Sequence, residues 1–271
     1  MTRSKLPLLA WIACIAVATG LAASVVWAGV RGSKHDLSSG GTAQATTGAT
    51  TEVCVFCHTP HGSDQNVSAP LWNKTLPLAG SYTRYSSLGT ATLDGAEVPV
   101  GSVSLACLSC HDGTQAMDVV LNAPGSGNYN AAGAQIDLAA VGVMTGSPIP
   151  MLGTDLRNDH PVSIAYAGGA CTGTTADCNP ATASIGDKDF QIAQYQTING
   201  KDSWWVDTLG GTPNQRDKTD MILYARDFSG TNGPSVECGS CHDPHEDTPR
   251  PVSFLRLSNT GSAVCLACHI K

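Results

Sequence analysis

The amino-acid sequence predicts a mostly irregular, loop-rich fold with short helices and only a few short strands. Its 271 residues include 29 glycines, 15 prolines and only 6% aromatic residues, which argues against a helical bundle and an aromatic-rich core. The mean hydropathy of −0.03 and the 42% of apolar residues argue equally against a disordered polyelectrolyte. No long stretch has helical periodicity, and the strand candidates are brief, at residues 97–103, 161–166 and 252–257. Something other than leucine and phenylalanine must therefore fill the interior.

The N-terminal segment, residues 1–28, has the pattern of a signal peptide. Two basic residues precede an apolar stretch at 6–26, and Val26-Trp27-Ala28 ends it with the small-residue pattern of a cleavage site. An uncleaved membrane anchor is the alternative, since the apolar stretch is nearly long enough to span a bilayer. In either case the protein is exported, Cys14 belongs to the signal, and the remaining residues 29–271 are expected to form one domain.

The charge of the chain excludes nucleic acid as a partner. The formal net charge is −7, and it becomes −9 when Arg3 and Lys5 leave with the signal. Proteins that bind DNA or RNA present clustered lysine and arginine. No such cluster occurs in this sequence.

Eight of the eleven cysteines belong to four copies of the motif Cys-x-x-Cys-His. In this motif two thiols add across the vinyl groups of a haem, and the adjacent imidazole lies beneath the iron as its proximal ligand. A zinc ribbon would not explain a histidine after every pair, and a redox dithiol would occur once. The motifs therefore predict four covalent c-type haems. The attachment cysteines are Cys54, Cys57, Cys107, Cys110, Cys238, Cys241, Cys265 and Cys268, and the proximal ligands are His58, His111, His242 and His269.

The other four histidines match the four remaining axial positions in number. This match predicts that every iron has two histidine ligands, a coordination that gives lower reduction potentials than histidine with methionine. Low-potential electron transfer is the function that follows. The candidate distal ligands are His35, His61, His160 and His245, and the alternative sixth ligands are Met117, Met144, Met151 and Met221.

The motifs divide the chain into two doublets and an insert. The first doublet spans residues 54–111, the loop-rich insert 112–237 and the second doublet 238–269. Each motif follows a short apolar stretch that predicts a short helix, and stacked haems are expected to form the core. The sequences Cys-His-Thr-Pro-His and Cys-His-Asp-Pro-His, which open the two doublets, form an internal repeat.

Spacing also restricts which histidine serves which iron. His61 follows His58 by three residues, too few to carry the chain around a planar macrocycle, and His245 is excluded from the haem of His242 in the same way. The simplest pairing gives the fourth haem to His245, the first to His35, the second to His160 and the third to His61. In a second pairing, His61 ligates the second haem of its own chain and His160 the third.

Cys171 and Cys178 close a short polar loop. A disulfide is the expected arrangement in an exported protein, and a metal site using Asp177 is the weaker alternative. Ordinary packing is expected for Trp204-Trp205, with a haem face or a subunit contact as the other interpretations.

The motifs give the chain a resemblance to the multihaem c-type cytochromes with doubled Cys-x-x-Cys-His motifs. The resemblance lies in residues 54–74, in Asn-Asp-His-Pro-Val at 158–162 and in 253–269. Within that family the chain resembles the extracellular tetrahaem cytochromes of metal-reducing bacteria that polymerise into conducting filaments, of the outer-membrane cytochrome E type. The resemblance implies secretion to the cell surface, self-association with one distal histidine donated by a neighbouring subunit, for which His61 is the candidate, and an external acceptor such as a metal oxide.

Three functions are compatible with these features. The favoured one is an electron-transfer protein that exchanges electrons with other cytochromes. A monomeric periplasmic shuttle, or a membrane-anchored quinol-oxidising subunit, is the alternative. A multihaem enzyme is less favoured, because it needs an iron with an open position and no motif here has a lysine in place of its histidine.

Overall fold

The computed structural model describes residues 29–125, 129–138, 141–145, 150–169, 171, 178–184, 186–208, 212–213, 215–246 and 254–270. The expected signal peptide, residues 1–28, lies outside these ranges. Within the ranges described, no helix has the length and apolar character needed to cross a membrane.

The main regular element of the described residues is a five-stranded antiparallel sheet, whose strands all lie in the insert. Its strands, given in chain order at the end of this paragraph, are arranged in space as β1-β5-β4-β3-β2. The two hairpins turn at Asn199-Gly200 and Ser229-Gly230, all four residues having positive φ, as two-residue hairpin turns of type I′ require. The strands are β1 (Ile164–Ala165), β2 (Gln194–Ile198), β3 (Lys201–Val206), β4 (Met221–Phe228) and β5 (Thr231–Val236).

Short helices lie at the four motifs. A single 3₁₀ turn, Cys54–Phe56, begins the first motif, and α1 (Ser102–His111) contains the second. The third and fourth motifs begin in α2 (Cys238–Cys241) and α3 (Ala263–Leu266). Four further 3₁₀ segments are present in the described residues. Ala79–Ser81 and Tyr85–Leu88 precede α1. Tyr166–Gly169 follows β1, and Thr260–Ser262 precedes α3.

Two of the apolar clusters in the interior border attachment cysteines. One face of the sheet, including Trp204 and Met221, packs against Cys241 and Cys268 of the second doublet. A separate cluster around Phe56 borders Cys57 and Cys110 of the first doublet, and its other buried members are Leu37, Met117, Leu138 and Val141. Each doublet therefore has its own apolar support.

The strand candidates meet different outcomes. Residues 161–166 contain β1, but in 97–103 Glu97 makes only an isolated bridge to Ile164 and α1 begins at Ser102. In 252–257 the described residues form an isolated bridge between Leu255 and His242. Strands β2 to β5 were not among the candidates, although Asn-Gly at 199–200 is a strong hairpin signal.

Candidate functional site

A short backbone clamp holds the first motif. His58 lies opposite Trp72 in an antiparallel bridge. The Thr59 amide donates to the Leu71 carbonyl at 2.9 Å, and the Asn73 amide donates to the Cys57 carbonyl at 2.9 Å. The two hydrogen bonds fix the backbone on both sides of the proximal histidine.

The third and fourth motifs have the same clamp. His242 lies opposite Leu255, and His269 lies opposite Phe190. In each case two amide–carbonyl hydrogen bonds again flank the histidine. They run from Asp243 to Phe254 (2.8 Å), Arg256 to Cys241 (2.8 Å), Ile270 to Asp189 (2.7 Å) and Gln191 to Cys268 (2.8 Å). Three motifs are therefore positioned by one repeated backbone pattern.

The second motif is held differently, because it lies at the end of α1. The Leu152 amide donates to the His111 carbonyl at 2.8 Å. The His111 Nδ1 lies 2.7 Å from the Pro150 carbonyl oxygen. A segment of the insert therefore orients this histidine in place of the clamp.

Hydrogen bonds also orient the imidazoles of His58 and His160. The Nδ1 atom of His58 lies 2.7 Å from the Pro70 carbonyl, and that of His160 lies 3.0 Å from the Pro161 carbonyl. A carbonyl only accepts, so Nδ1 carries the proton and donates. Nε2 is then left with its lone pair, the usual arrangement in a metal-ligating histidine.

Three pairs of imidazoles have the separation that two axial ligands of one iron require. The ring centroids are 6.0 Å apart for His35 and His111, 5.9 Å for His58 and His245, and 6.4 Å for His160 and His269. An iron bound on both faces by imidazole nitrogens at about 2 Å separates the ring centroids by about 6 Å. The histidines therefore fit bis-imidazole coordination.

These contacts differ from the pairing that spacing suggested. His245 lies beside His58 rather than His269, and His35 and His160 lie beside the second and fourth proximal histidines rather than the first and second. The physical reason is that loop-closure entropy grows only slowly with loop length, so sequence separation is a weak guide to contact. Of the other two histidines, His61 is exposed and His242 lies in its backbone clamp opposite Leu255.

His35 is partly buried among other histidines. Burial, together with the weaker effect of the nearby imidazoles of His111, His245 and His242, lowers its pKa to about 4. Its ring also stacks on Phe254, with centroids 4.3 Å apart. His35 is therefore neutral at pH 7, the form in which an imidazole ligates a metal.

The attachment cysteines of the second and third motifs lie next to each other. The Cys107 thiol contacts the Cys238 sulfur, a hydrogen bond that raises the pKa of Cys107 and lowers that of Cys238. The Ser104 hydroxyl of α1 accepts from the Cys238 amide at 2.9 Å. These contacts join the two doublets through α1 and α2.

Glu237 stabilises the same junction. Its side chain is buried, with a residue exposure of 1%. Burial raises the pKa of this carboxyl, whereas its hydrogen-bond donors and Arg226 act in the opposite direction. The donors are Ser104 Oγ at 2.5 Å, Ser163 Oγ at 3.1 Å, Ser235 Oγ at 3.0 Å and Arg226 Nη1 at 2.8 Å. Sequence reasoning missed this residue, because one glutamate beside a motif has no distinguishing pattern.

The remaining cysteines pack against the sheet, and the tryptophan pair belongs to β3. The Cα atoms of Cys171 and Cys178 are 4.0 Å apart with their sulfur atoms in contact, an arrangement that suits the expected disulfide. Asp177 lies outside the described residues. Trp204 and Trp205 are both buried, and Trp204 belongs to the cluster that borders the second doublet.

Comparison with known proteins supports the class of protein that the site defines. Residues 233–271, which contain the second doublet, match the family described as "Doubled CXXCH motif". No curated protein matches the chain. The motifs indicate covalently bound c-type haem, and the match is consistent with a multihaem c-type cytochrome, a haem-binding class of electron-transfer proteins.

Proposed function

We propose that this protein carries electrons through four covalent haems, each ligated by two histidines. Such haems exchange one electron between ferric and ferrous iron. The observation that carries the proposal is the set of three imidazole pairs about 6 Å apart. Six-coordinate irons have no open position for a substrate, which favours electron transfer over an enzyme.

The chain's own residues would attach and orient the cofactors. The eight motif cysteines supply the thioether bonds. In the proposed pairing, His58 and His245 ligate the first iron, His111 and His35 the second, and His269 and His160 the fourth. His242 is then the proximal ligand of the third.

The third iron would take its distal histidine from a neighbouring subunit. His61 is the remaining histidine and is exposed. A head-to-tail contact in which one subunit's His61 reaches the next subunit's third haem propagates without closing and builds a fibre. The resemblance to filament-forming cytochromes supports this arrangement.

Export completes the proposal. Residues 1–28 would direct the chain out of the cytosol, where a disulfide between Cys171 and Cys178 is stable. The filament would stand outside the cell and pass electrons to an external acceptor such as a metal oxide.

Three measurements test this function. The intact mass of purified protein should exceed that of the mature chain by four haems, and the native reduced form should not bind carbon monoxide. Negative-stain microscopy of the wild type should show filaments, and a His61→Ala variant should give monomers. A matched His160→Ala variant should lose a ligand without losing filaments. Intact filaments in the His61→Ala variant would contradict the subunit contact, and fewer than four haems would contradict the cofactor assignment.

A further inference from the structure

Lys74 is a fully buried lysine beside the first doublet. Its exposure is 1%. Nζ donates to the carbonyl oxygens of Ala116 at 3.1 Å, Met117 at 3.2 Å and Val119 at 2.8 Å. Because a carbonyl only accepts, three such bonds need three N–H groups, which only the charged ammonium has. Lys74 is therefore a buried cation.

This cation has no carboxylate counter-ion in the described part of the chain, where the ion pairs involve other basic residues. A buried charge is costly unless it is paired. Three carbonyl dipoles solvate the ammonium, but they do not neutralise it. The Lys74 ammonium thus lies beside the first doublet without an ion-pair partner among the described residues.

The charge lies between the first two motifs. Asn73, the preceding residue, donates from its side chain to the Val55 carbonyl at 2.6 Å, within the first motif. Met117, whose carbonyl Lys74 contacts, packs in the cluster that Cys57 and Cys110 border. Both attachment segments are therefore within its electrostatic reach.

The second doublet offers an internal comparison. In its clamp the Arg256 amide donates to the Cys241 carbonyl, as the Asn73 amide donates to the Cys57 carbonyl in the first clamp. The Arg256 Nε donates to the Gly239 carbonyl at 3.0 Å, as the Asn73 side chain does to Val55.

The residues that follow these two differ in charge. Lys74 follows Asn73, whereas Leu257 follows Arg256. The cation of the second clamp, Arg256, lies 3.6 Å from the carboxylate of Asp243. The cation of the second clamp therefore has a carboxylate partner, whereas the ammonium that follows the first clamp has none among the described residues.

We propose that Lys74 raises the reduction potentials of the haems attached to the first doublet above those of the second. The inference rests on the proposed function. A ferric haem has one more positive charge than a ferrous haem, so a nearby buried cation favours the reduced form, and a low local dielectric strengthens the effect. Electrons on the chain would accordingly collect on the first doublet.

The first test needs no variant. In a potentiometric titration of the wild-type protein, followed by nuclear magnetic resonance or electron paramagnetic resonance signals assigned to individual haems, the first doublet's haems should be reduced before those of the second. The opposite order would overturn the proposal.

The second test removes the charge. Lys74→Leu copies the second clamp, and Lys74→Gln keeps two N–H donors without the charge. Both should move two of the four titration components to lower potential with an unchanged low-spin spectrum. Lys74→Arg, which keeps a charge, and Lys201→Met, which removes an exposed lysine at the start of β3, should titrate like the wild type. A Lys74→Gln variant that titrates like the wild type would overturn the proposal, as would an equal shift of all four components.

The haem content separates this inference from the function on which it rests. Intact mass gives the number of haems in each variant independently of their potentials. Four haems with unshifted potentials would contradict the role of Lys74 alone. Fewer than four haems in the wild type would contradict the proposed function.

Discussion

The two doublets share a backbone clamp but are supported by different surroundings. In the first doublet the attachment cysteines border a cluster around Phe56, and the clamp residue Asn73 leads into a buried lysine. In the second doublet the cysteines border the antiparallel sheet, and the clamp residue Arg256 leads into Leu257. The comparison shows that a repeated backbone pattern positions three of the four proximal histidines, while the flanking side chains differ in packing and charge.

The largest expected effect follows from removing the attachment cysteines. Replacing all eight by alanine should abolish the cooperative thermal transition, because a chain with 29 glycines and 15 prolines cannot offset its backbone entropy without the haems. Circular dichroism during heating measures this. A cooperative melt of that variant would show that the polypeptide alone forms a sufficient core.

Replacing the cysteines of one doublet at a time distinguishes the contributions of the two doublets to stability. Replacing only the first doublet's four cysteines should leave a residual transition in tryptophan fluorescence, because Trp204 packs in the sheet cluster on the second doublet's side. Replacing only the second doublet's four should weaken that transition more. Equal losses would indicate that the sheet gains no support from the neighbouring haems.

The next largest effect concerns the junction between the doublets. Glu237→Gln should lower the free energy of unfolding of the haem-loaded protein by about 1–3 kcal/mol, because buried donors lose a charged acceptor. Arg226 loses its carboxylate partner at the same time. Denaturant titration measures the change. Asp155→Asn, which breaks the exposed pair with Arg157, is the matched control and should give no measurable loss. Equal stability of the two variants would contradict the role of Glu237.

Sequence reasoning recovers the chemistry of the motifs more readily than their arrangement. The thioether sites can be predicted because attachment requires a fixed local spacing. The neighbours of His35 and His245 cannot, because they are brought together across loops whose closure costs depend weakly on length. The clamp residues Trp72 and Leu255 have no periodic signal, and the burial of Lys74 depends on three carbonyls of a distant loop.

The sheet was predictable in part. The turn at Asn199-Gly200 is a recognised hairpin signal, and β2 and β3 flank it. Because the insert contains many other turn-forming sequences, this one was not distinguished from them. The register and order of the strands depend on tertiary contacts, including those of Trp204 with the second doublet's cluster.

The smallest expected effect lies in that hairpin. Gly200→Ala should destabilise the protein by about 1–2 kcal/mol, because an alanine at a φ of +74° is strained. Haem spectra should not change, since the turn lies at the opposite end of β3 from Trp204 and Val206, which pack in the cluster with the second doublet's cysteines. Gly48→Ala, at a position with open space and no positive φ, is the control and should be close to neutral. A spectral change in Gly200→Ala would show that the hairpin contacts a haem.

The central claim is that the doublets exchange ligands, with His245 of the second doublet serving the iron of the first. His245→Ala should open one iron, and the reduced variant should then bind one equivalent of carbon monoxide. Cys54→Ala and Cys57→Ala together remove the first haem. In that background, adding His245→Ala should give no more carbon monoxide binding than the cysteine variant shows alone. Carbon monoxide binding that persists at one additional equivalent in the combined variant would contradict the exchange and assign His245 to another haem.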